Sequence, residues 1–205
     1  MNYLNNKVSR ILVISTIGSL LFSVSGIFLW IISNSDMVLL DGLYSVISLV
    51  ISSLSLFTSY MIKKPNRDSF PFGKYIFQPL TIVFNSSILL LCILSLISSA
   101  NAILNNGRII NANIGLGYGI FSFLGCGLIY LILFKNKSDL IYTENLQWLL
   151  DTCVSFELII GFAIIFVVKY TSFSWFIPYI DPVLVLMAGV ILIFMPIRLL
   201  FNNFK

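Results

Sequence analysis

The chain has 205 residues, of which 59% are hydrophobic and only 10% are charged, and its formal net charge is +4. Soluble domains average about 45–50% apolar residues and carry many more charges on their surface. The composition therefore excludes a soluble enzyme, a nucleic-acid-binding domain and a disordered segment, and the absence of histidine excludes catalysis, metal ligation and proton relays that depend on imidazole.

Six apolar runs are long enough to cross a bilayer, which requires about 20 mostly apolar residues per helix. In chain order they cover residues 11–32, 37–62, 80–104, 114–134, 145–168 and 183–200. None alternates with the two-residue period of a barrel strand, and the first is too long for the apolar part of a signal peptide. We therefore expect an all-α membrane protein with six transmembrane helices. It should form a single domain over residues 1–205, without a C-terminal cytoplasmic domain or a prosthetic group.

The basic residues predict how these helices are oriented. The side that carries both termini holds most of them: Lys7, Arg10, Lys63, Lys64, Arg67, Lys74, Lys135, Lys137, Arg198 and Lys205. The opposite side holds only Arg108 and Lys169. Because cytoplasmic loops are enriched in lysine and arginine, we expect both termini in the cytoplasm and a multi-pass protein of the plasma membrane. This bias explains the basic net charge without a nucleic-acid partner.

The second run contains a polar stripe that begins with a carboxylate. Asp41 is followed, at alternating steps of four and three residues, by Ser45, Ser48, Ser52, Ser55 and Ser59. This spacing keeps the side chains on one helical face. Small residues permit close helix packing, which suffices for the serines beyond Ser45, but a carboxylate within a membrane is costly and marks a functional site. Asp41 is therefore the first candidate site residue.

The first and fourth runs carry stripes of small residues that predict close-packing faces. Their members are Ser15, Ser19, Ser23 and Gly26 in the first run, and Gly115, Gly119, Ser122 and Cys126 in the fourth. The three cysteines, Cys92, Cys126 and Cys153, lie far apart in apolar runs and form no CxxC pair. We interpret them as buried apolar side chains, without a disulfide or a zinc cluster.

The fifth run repeats the polar pattern of the second. Glu144, Gln147, Asp151 and Ser155 follow one another at helical spacing. Gln147 and Asp151 are one turn apart, so their oxygens can converge on one point. Glu157 lies about 240° around the helix from Asp151 and is not expected to be a ligand. Glu144, like Asp36 and Asp181, lies near the end of a run, where it would reach the membrane interface.

Two further expectations concern the helix ends. Asp181 and Pro182 are interpreted as the N-cap and the first residue of the sixth helix. Aromatic residues at the ends of the runs are expected to form interfacial belts: Trp30, Tyr60, Trp148, Trp175 and Tyr179.

Two carboxylate-containing pairs on separate helices predict a cation site. Asp41 with Ser45 and Gln147 with Asp151 would supply two negative charges and neutral oxygens. An all-oxygen ligand set favours Mg²⁺ or Mn²⁺ over zinc. For this site to exist, the two carboxylates must face each other within about 10 Å, a distance that an ion or a water molecule bridges.

The motifs together resemble the cation diffusion facilitator family of cation efflux proteins. That family has a pair of metal ligands four residues apart on helix two and another on helix five. Here these positions hold Asp41-Gly-Leu-Tyr-Ser45 and Gln147-Trp-Leu-Leu-Asp151. The segment Phe70-Pro-Phe-Gly-Lys-Tyr resembles the family's loop between helices two and three, in the form found in a branch with DGLYS and QWLID motifs, and Asp181-Pro182 resembles the start of its helix six.

The resemblance implies a divalent cation transporter that works by efflux, coupled to protons by antiport. It implies a bundle of six helices, a homodimer and no enzymatic activity. Asp41, Ser45, Gln147 and Asp151 would bind Mn²⁺, Mg²⁺, Fe²⁺, Zn²⁺ or Co²⁺. Ser45 and Gln147 stand where zinc-type members have aspartate and histidine, which favours the harder ions. Two other hypotheses remain: a truncated, non-transporting subunit that regulates a full-length relative, and a carrier of an organic cation.

Overall fold

A computed structural model of the protein describes residues 2–61, 73–135 and 139–203. These residues form six helices and no strand, as the sequence predicts. The helices are α1 (Asn2–Ser33), α2 (Asp36–Met61), α3 (Gly73–Leu104), α4 (Ala112–Phe134), α5 (Asp139–Val168) and α6 (Ile177–Asn203), and a short 3₁₀ turn, Ser174–Phe176, precedes α6. Each is long and apolar enough to cross a membrane. Most helices extend beyond the predicted apolar runs because a helix can continue past the hydrocarbon core. For example, α3 begins seven residues before the run predicted at residues 80–104.

The distribution of side chains is the reverse of that in a soluble protein. Large aliphatic side chains face outward, among them Ile17, Val24, Ile97, Leu128 and Val167. Serines and carboxylates fill the interior instead, including Ser15, Ser48, Ser52, Asp41, Glu144 and Asp151. An apolar exterior is stable only against lipid, and polar groups within lipid must find partners inside the bundle. The chain is therefore an integral, multi-pass membrane protein.

Sequential helices run antiparallel. Ser15 of α1 is paired with Ser52 of α2, while Gly26, further along α1, meets Gly42, nearer the start of α2. Asp36, at the start of α2, and Asp181, near the start of α6, both pair with Arg108, so α2 and α6 begin on the same side of the bundle. We call this side the far side. The opposite side, where α1 begins and α6 ends, is called the terminal side. Which of these sides faces the cytoplasm stays a prediction from the basic residues.

The crossing of α1 and α2 is among the tightest contacts of the bundle. A Cβ atom added to Gly26 would lie 2.6 Å from the Cα of Gly42 and 2.8 Å from the phenol oxygen of Tyr118. Only glycine permits the two backbones to approach so closely. The predicted close-packing face of the first helix is thus confirmed at Gly26. The contact also holds α1 and α2 against α4, where Tyr118 lies.

The predicted role of Asp181, on the far side of the bundle, is wrong. Asp181 is not the N-cap of α6, because α6 begins at Ile177. Its buried carboxylate instead accepts hydrogen bonds from the backbone N–H groups of Asp36 (3.1 Å) and Met37 (3.3 Å), the first residues of α2. Asp181 therefore caps a helix that is distant in sequence.

Proline explains how α6 can begin early. Pro182 has no N–H group to donate to the carbonyl of Pro178, one turn earlier. That carbonyl instead accepts a hydrogen bond of 2.8 Å from the backbone N–H of Arg108, in the connection between α3 and α4. The Arg108 side chain then forms ion pairs with Asp36 (2.6 Å) and Asp181 (3.2 Å). A single arginine thus joins the far-side ends of α2 and α6.

Two other predictions about side chains are wrong. Trp148 is not part of an interfacial belt: it is buried, and its indole nitrogen donates a hydrogen bond of 2.8 Å to Ser15. Cys153 is exposed, because it lies two residues after Asp151 and so about 200° around α5 from the polar face. The predicted buried positions of Cys92 and Cys126 are confirmed. The loop motif at residues 70–72 and the side chain of Tyr60 lie outside the described part of the chain.

Candidate functional site

Asp41 lies inside the bundle, about one and a half turns after the start of α2. Only 2% of its surface is exposed. Its Oδ2 atom accepts a hydrogen bond of 2.6 Å from the phenol of Tyr118 and a second, of 3.3 Å, from the hydroxyl of Ser122. Both donors lie on α4, four residues apart, so one face of that helix holds the carboxylate. Bonds of this kind favour the charged form of a carboxylate.

Asp151 lies on α5 and is 3% exposed. Its Oδ1 atom is buried, and among the described residues it has no hydrogen-bond partner. The same holds for Oε1 of Gln147, one turn earlier on the same face of α5. Buried acceptors without donors are rare in native proteins. Both predicted α5 ligands therefore have an acceptor oxygen that is free to bind a cation.

The two carboxylates belong to one connected group of polar atoms. Ser122, which donates to Asp41, also pairs with Ser155 of α5 at 2.8 Å. Ser155 in turn donates to the backbone carbonyl of Asp151 at 2.7 Å. The helices α2, α4 and α5 thus bring both acids to the same part of the interior.

Ser45 is the fourth of the predicted cation ligands. It lies one turn after Asp41 on the same face of α2 and is buried. The neutral oxygens of Ser45 and Gln147 therefore lie on the terminal side of their respective carboxylates, because α2 and α5 run in opposite directions. No group of three or more acidic or cysteine side chains that could hold a metal occurs in the described part of the chain. A cation here would need the serine and amide oxygens.

Among the described residues, no basic side chain forms an ion pair with Asp41 or Asp151. The ion pairs within residues 2–61, 73–135 and 139–203 involve Arg108 on the far side, with Asp36 and Asp181 as its acceptors. Two unpaired negative charges in a low-dielectric interior are very costly. Asp41 and Asp151 must therefore carry protons, or share a bound cation.

The role of Tyr118 is not evident from sequence reasoning. The stripe of small residues on α4 draws attention to Ser122 as a packing residue, and a tyrosine near the end of a run resembles an interfacial aromatic. The available signal is spacing: Tyr118, Ser122 and Cys126 follow one another at four-residue steps, which places three polar atoms on one face.

Glu144 also differs from its prediction. It does not reach the membrane interface: its side chain is completely buried. Two serines donate to its Oε2 atom, Ser15 at 2.5 Å and Ser52 at 2.7 Å. Glu144 is thus a further buried acid, about 10 Å from Asp151 along α5 and on its terminal side.

Residues 12–205 match the family of the cation efflux transmembrane domain. The chain belongs to the cation efflux family. Members of this family transport metal cations across membranes and are not enzymes, which agrees with the resemblance inferred from the motifs on helices two and five. A comparison with curated proteins found no match.

Proposed function

We propose that this cation efflux protein exports a divalent metal ion, which binds between Asp41 and Asp151. The carboxylates supply the charge, and Ser45 and Gln147 supply neutral oxygens. The observation that carries the proposal is the pair of buried acids on α2 and α5, which Ser122 and Ser155 connect by hydrogen bonds and which form no ion pair in the described residues. A doubly charged cation neutralises both.

The ligand atoms indicate which divalent ions fit. All four side chains offer oxygen, and the chain has no histidine. Hard cations such as Mn²⁺ and Mg²⁺ prefer oxygen ligands, whereas zinc sites usually contain nitrogen or sulfur. We therefore rank Mn²⁺ and Mg²⁺ above Fe²⁺, Co²⁺ and Zn²⁺ as the transported ion.

Proton antiport follows from the cost of unpaired charge. When the cation leaves, Asp41 and Asp151 become two buried negative charges, and each takes up a proton to avoid that state. When the cation binds, the protons are released. If the bundle exposes the site to each side of the membrane in turn, an inward proton gradient drives the cation outward. By analogy with the family, the working unit is a homodimer.

Cation flux into proteoliposomes tests this function. The purified protein is reconstituted, a pH gradient is imposed, and Mn²⁺ entry is followed with a quenched internal fluorophore. Wild type should transport Mn²⁺, and collapse of the gradient should slow the transport. Asp151→Asn, which removes one charge with little change of shape, should abolish it. Retained flux in this variant would contradict the assignment.

Glu157→Gln is the matched control for that experiment. Glu157 is a buried acid on the same helix, and neither of its oxygens has a partner in the described residues. It lies off the face of Asp151. Its neutralisation should leave flux unchanged, so a loss in Asp151→Asn alone would identify the site and not a general effect of charge on α5.

The same preparation separates the other two hypotheses. A regulatory subunit would show no Mn²⁺ flux by itself and would copurify with a longer relative. A carrier of an organic cation would transport that cation, and Mn²⁺ would compete with it for the two carboxylates.

A further inference from the structure

Glu144 stands apart from the Asp41–Asp151 pair, and its surroundings have a specific geometry. Ser15 of α1 and Ser52 of α2 both donate to Oε2. Trp148 donates its indole N–H to the oxygen of Ser15 at 2.8 Å, which fixes that serine in turn. Three helices thus hold one oxygen of the carboxylate in a defined direction.

The other carboxylate oxygen of Glu144, Oε1, has different surroundings. Oε1 is buried and accepts no hydrogen bond of normal length in the described residues, although the hydroxyl of Ser55, one turn beyond Ser52 on α2, also approaches this carboxylate. Gln147 lies three residues further along α5, on the same face, and its Oε1 atom is also buried without a partner. Two acceptor oxygens without normal hydrogen bonds thus lie on adjacent turns of one helix face, and one of them belongs to a carboxylate. None of the described basic residues forms an ion pair there.

A polar path connects Glu144 with the candidate site. On α2, Ser45 and Ser48 are buried between Asp41 and Ser52. On α5, Gln147 is within one turn of both Glu144 and Asp151. Its amide oxygen can therefore contribute to binding a cation at either acid. The path leads from the Asp41–Asp151 pair towards the terminal side of the bundle.

We propose that Glu144 and Gln147 form a second binding position for the transported divalent cation, on the terminal side of the Asp41–Asp151 pair. The inference rests on the proposed function. The ligands are again oxygens, which suits Mn²⁺. One carboxylate binds a divalent ion more weakly than two do, and a cation must bind tightly enough to enter but weakly enough to leave. The ion passes from Glu144 to the stronger site, and Gln147 contacts it at either position; when both positions are filled, Gln147 contacts only one of the two ions.

The number of bound Mn²⁺ ions tests the inference. The purified full-length protein is titrated with Mn²⁺, and free Mn²⁺ is measured by electron paramagnetic resonance. Wild type should bind two ions per chain, one more weakly than the other. Glu144→Gln should lose the weaker ion and Asp151→Asn the tighter one, while Glu157→Gln should bind both. Two ions bound to Glu144→Gln with wild-type affinities would overturn the inference.

The outcomes distinguish this inference from the proposed function. One ion per wild-type chain, lost in Asp151→Asn and unaffected in Glu144→Gln, would overturn the second position and leave the first intact. Binding that is unaffected by Asp151→Asn but reduced by Glu144→Gln would overturn the assignment of Asp41 and Asp151. A wild-type protein that binds no Mn²⁺ would overturn both.

A second variant separates binding from a purely structural role of Glu144. Glu144→Asp keeps the charge but shortens the side chain, so it should recover part of the weaker binding if the protein folds. In the flux assay, Glu144→Gln should raise the Mn²⁺ concentration for half-maximal rate several-fold, with a smaller change in the maximal rate. Equal loss in Glu144→Asp and Glu144→Gln would indicate a structural role and contradict the second position.

Discussion

Tyr118 on α4 donates a hydrogen bond of 2.6 Å to Asp41 on α2. The phenol reaches the carboxylate beside the crossing of α1 and α2, where Gly26 leaves room for it. The bond therefore joins this close helix crossing to the candidate cation site. It directs Oδ2 of Asp41 and supports the charged form that a cation requires.

Removal of this phenol should weaken cation binding. A hydrogen bond to a charged group contributes about 1.5–3 kcal/mol, so Tyr118→Phe should lower the apparent Mn²⁺ affinity about tenfold or more. Tyr130→Phe, on the same helix and in a tilted ring contact with Phe134, is the control. Equal affinities in wild type and Tyr118→Phe, measured by Mn²⁺ titration, would show that the bond does not prepare Asp41 for binding.

The close approach of α1 and α2 should be sensitive to a single methyl group. Gly26→Ala places a Cβ atom against the backbone of Gly42, and overpacking of this kind costs about 1–3 kcal/mol. The thermal unfolding temperature in detergent should fall. Gly117→Ala is the matched control, because a Cβ atom there has no neighbour within 4 Å. If both variants unfold at the same temperature, the helices adjust and the contact is not tight.

The far-side cap formed by Asp181 should contribute to stability. Asp181→Ala leaves the first N–H groups of α2 without their acceptor and removes one of the two carboxylates paired with Arg108. Loss of a cap costs about 0.5–2 kcal/mol. We expect a lower unfolding temperature than in Lys169→Ala, which changes an exposed side chain. An unchanged temperature would contradict the role of Asp181 as a cap.

The orientation predicted from the basic residues can be measured directly. Tyr170 is 85% exposed and follows the far-side end of α5, whereas the exposed Lys135 follows the terminal-side end of α4. A membrane-impermeant maleimide should label Tyr170→Cys in intact cells and Lys135→Cys only after permeabilisation. Wild type, with Cys153 exposed towards lipid, gives the background. The reverse pattern would place the termini outside the cytoplasm.

The helices and the two acids were predictable because both follow from the cost of polar groups in lipid. Apolar runs of sufficient length must be helices, and a carboxylate such as Asp41 or Asp151 stands out against an apolar background. The spacing of Gln147 and Asp151 also reveals which residues share a face. For these features, the length of each apolar run and the spacing of its polar residues are sufficient for the prediction.

Contacts between distant segments were not predictable in the same way. Asp181 caps α2 and not its own helix because the connection between α3 and α4 supplies the N–H group that satisfies Pro178. Trp148 is buried because Ser15, far away in sequence, accepts its N–H. Sequence patterns predict a capping aspartate at the start of its own helix and a tryptophan at the membrane interface. The packed bundle shows that both side chains instead bind partners that are distant in sequence.

The location of a bound metal tests the central claim most directly. Crystals grown with Mn²⁺ can be measured at a wavelength where manganese scatters anomalously. We predict a peak between Asp41 and Asp151, about 2.0–2.6 Å from their carboxylate oxygens, within the range for hard cations bound to oxygen. Manganese peaks elsewhere in the protein, with none between these two residues, would contradict the account.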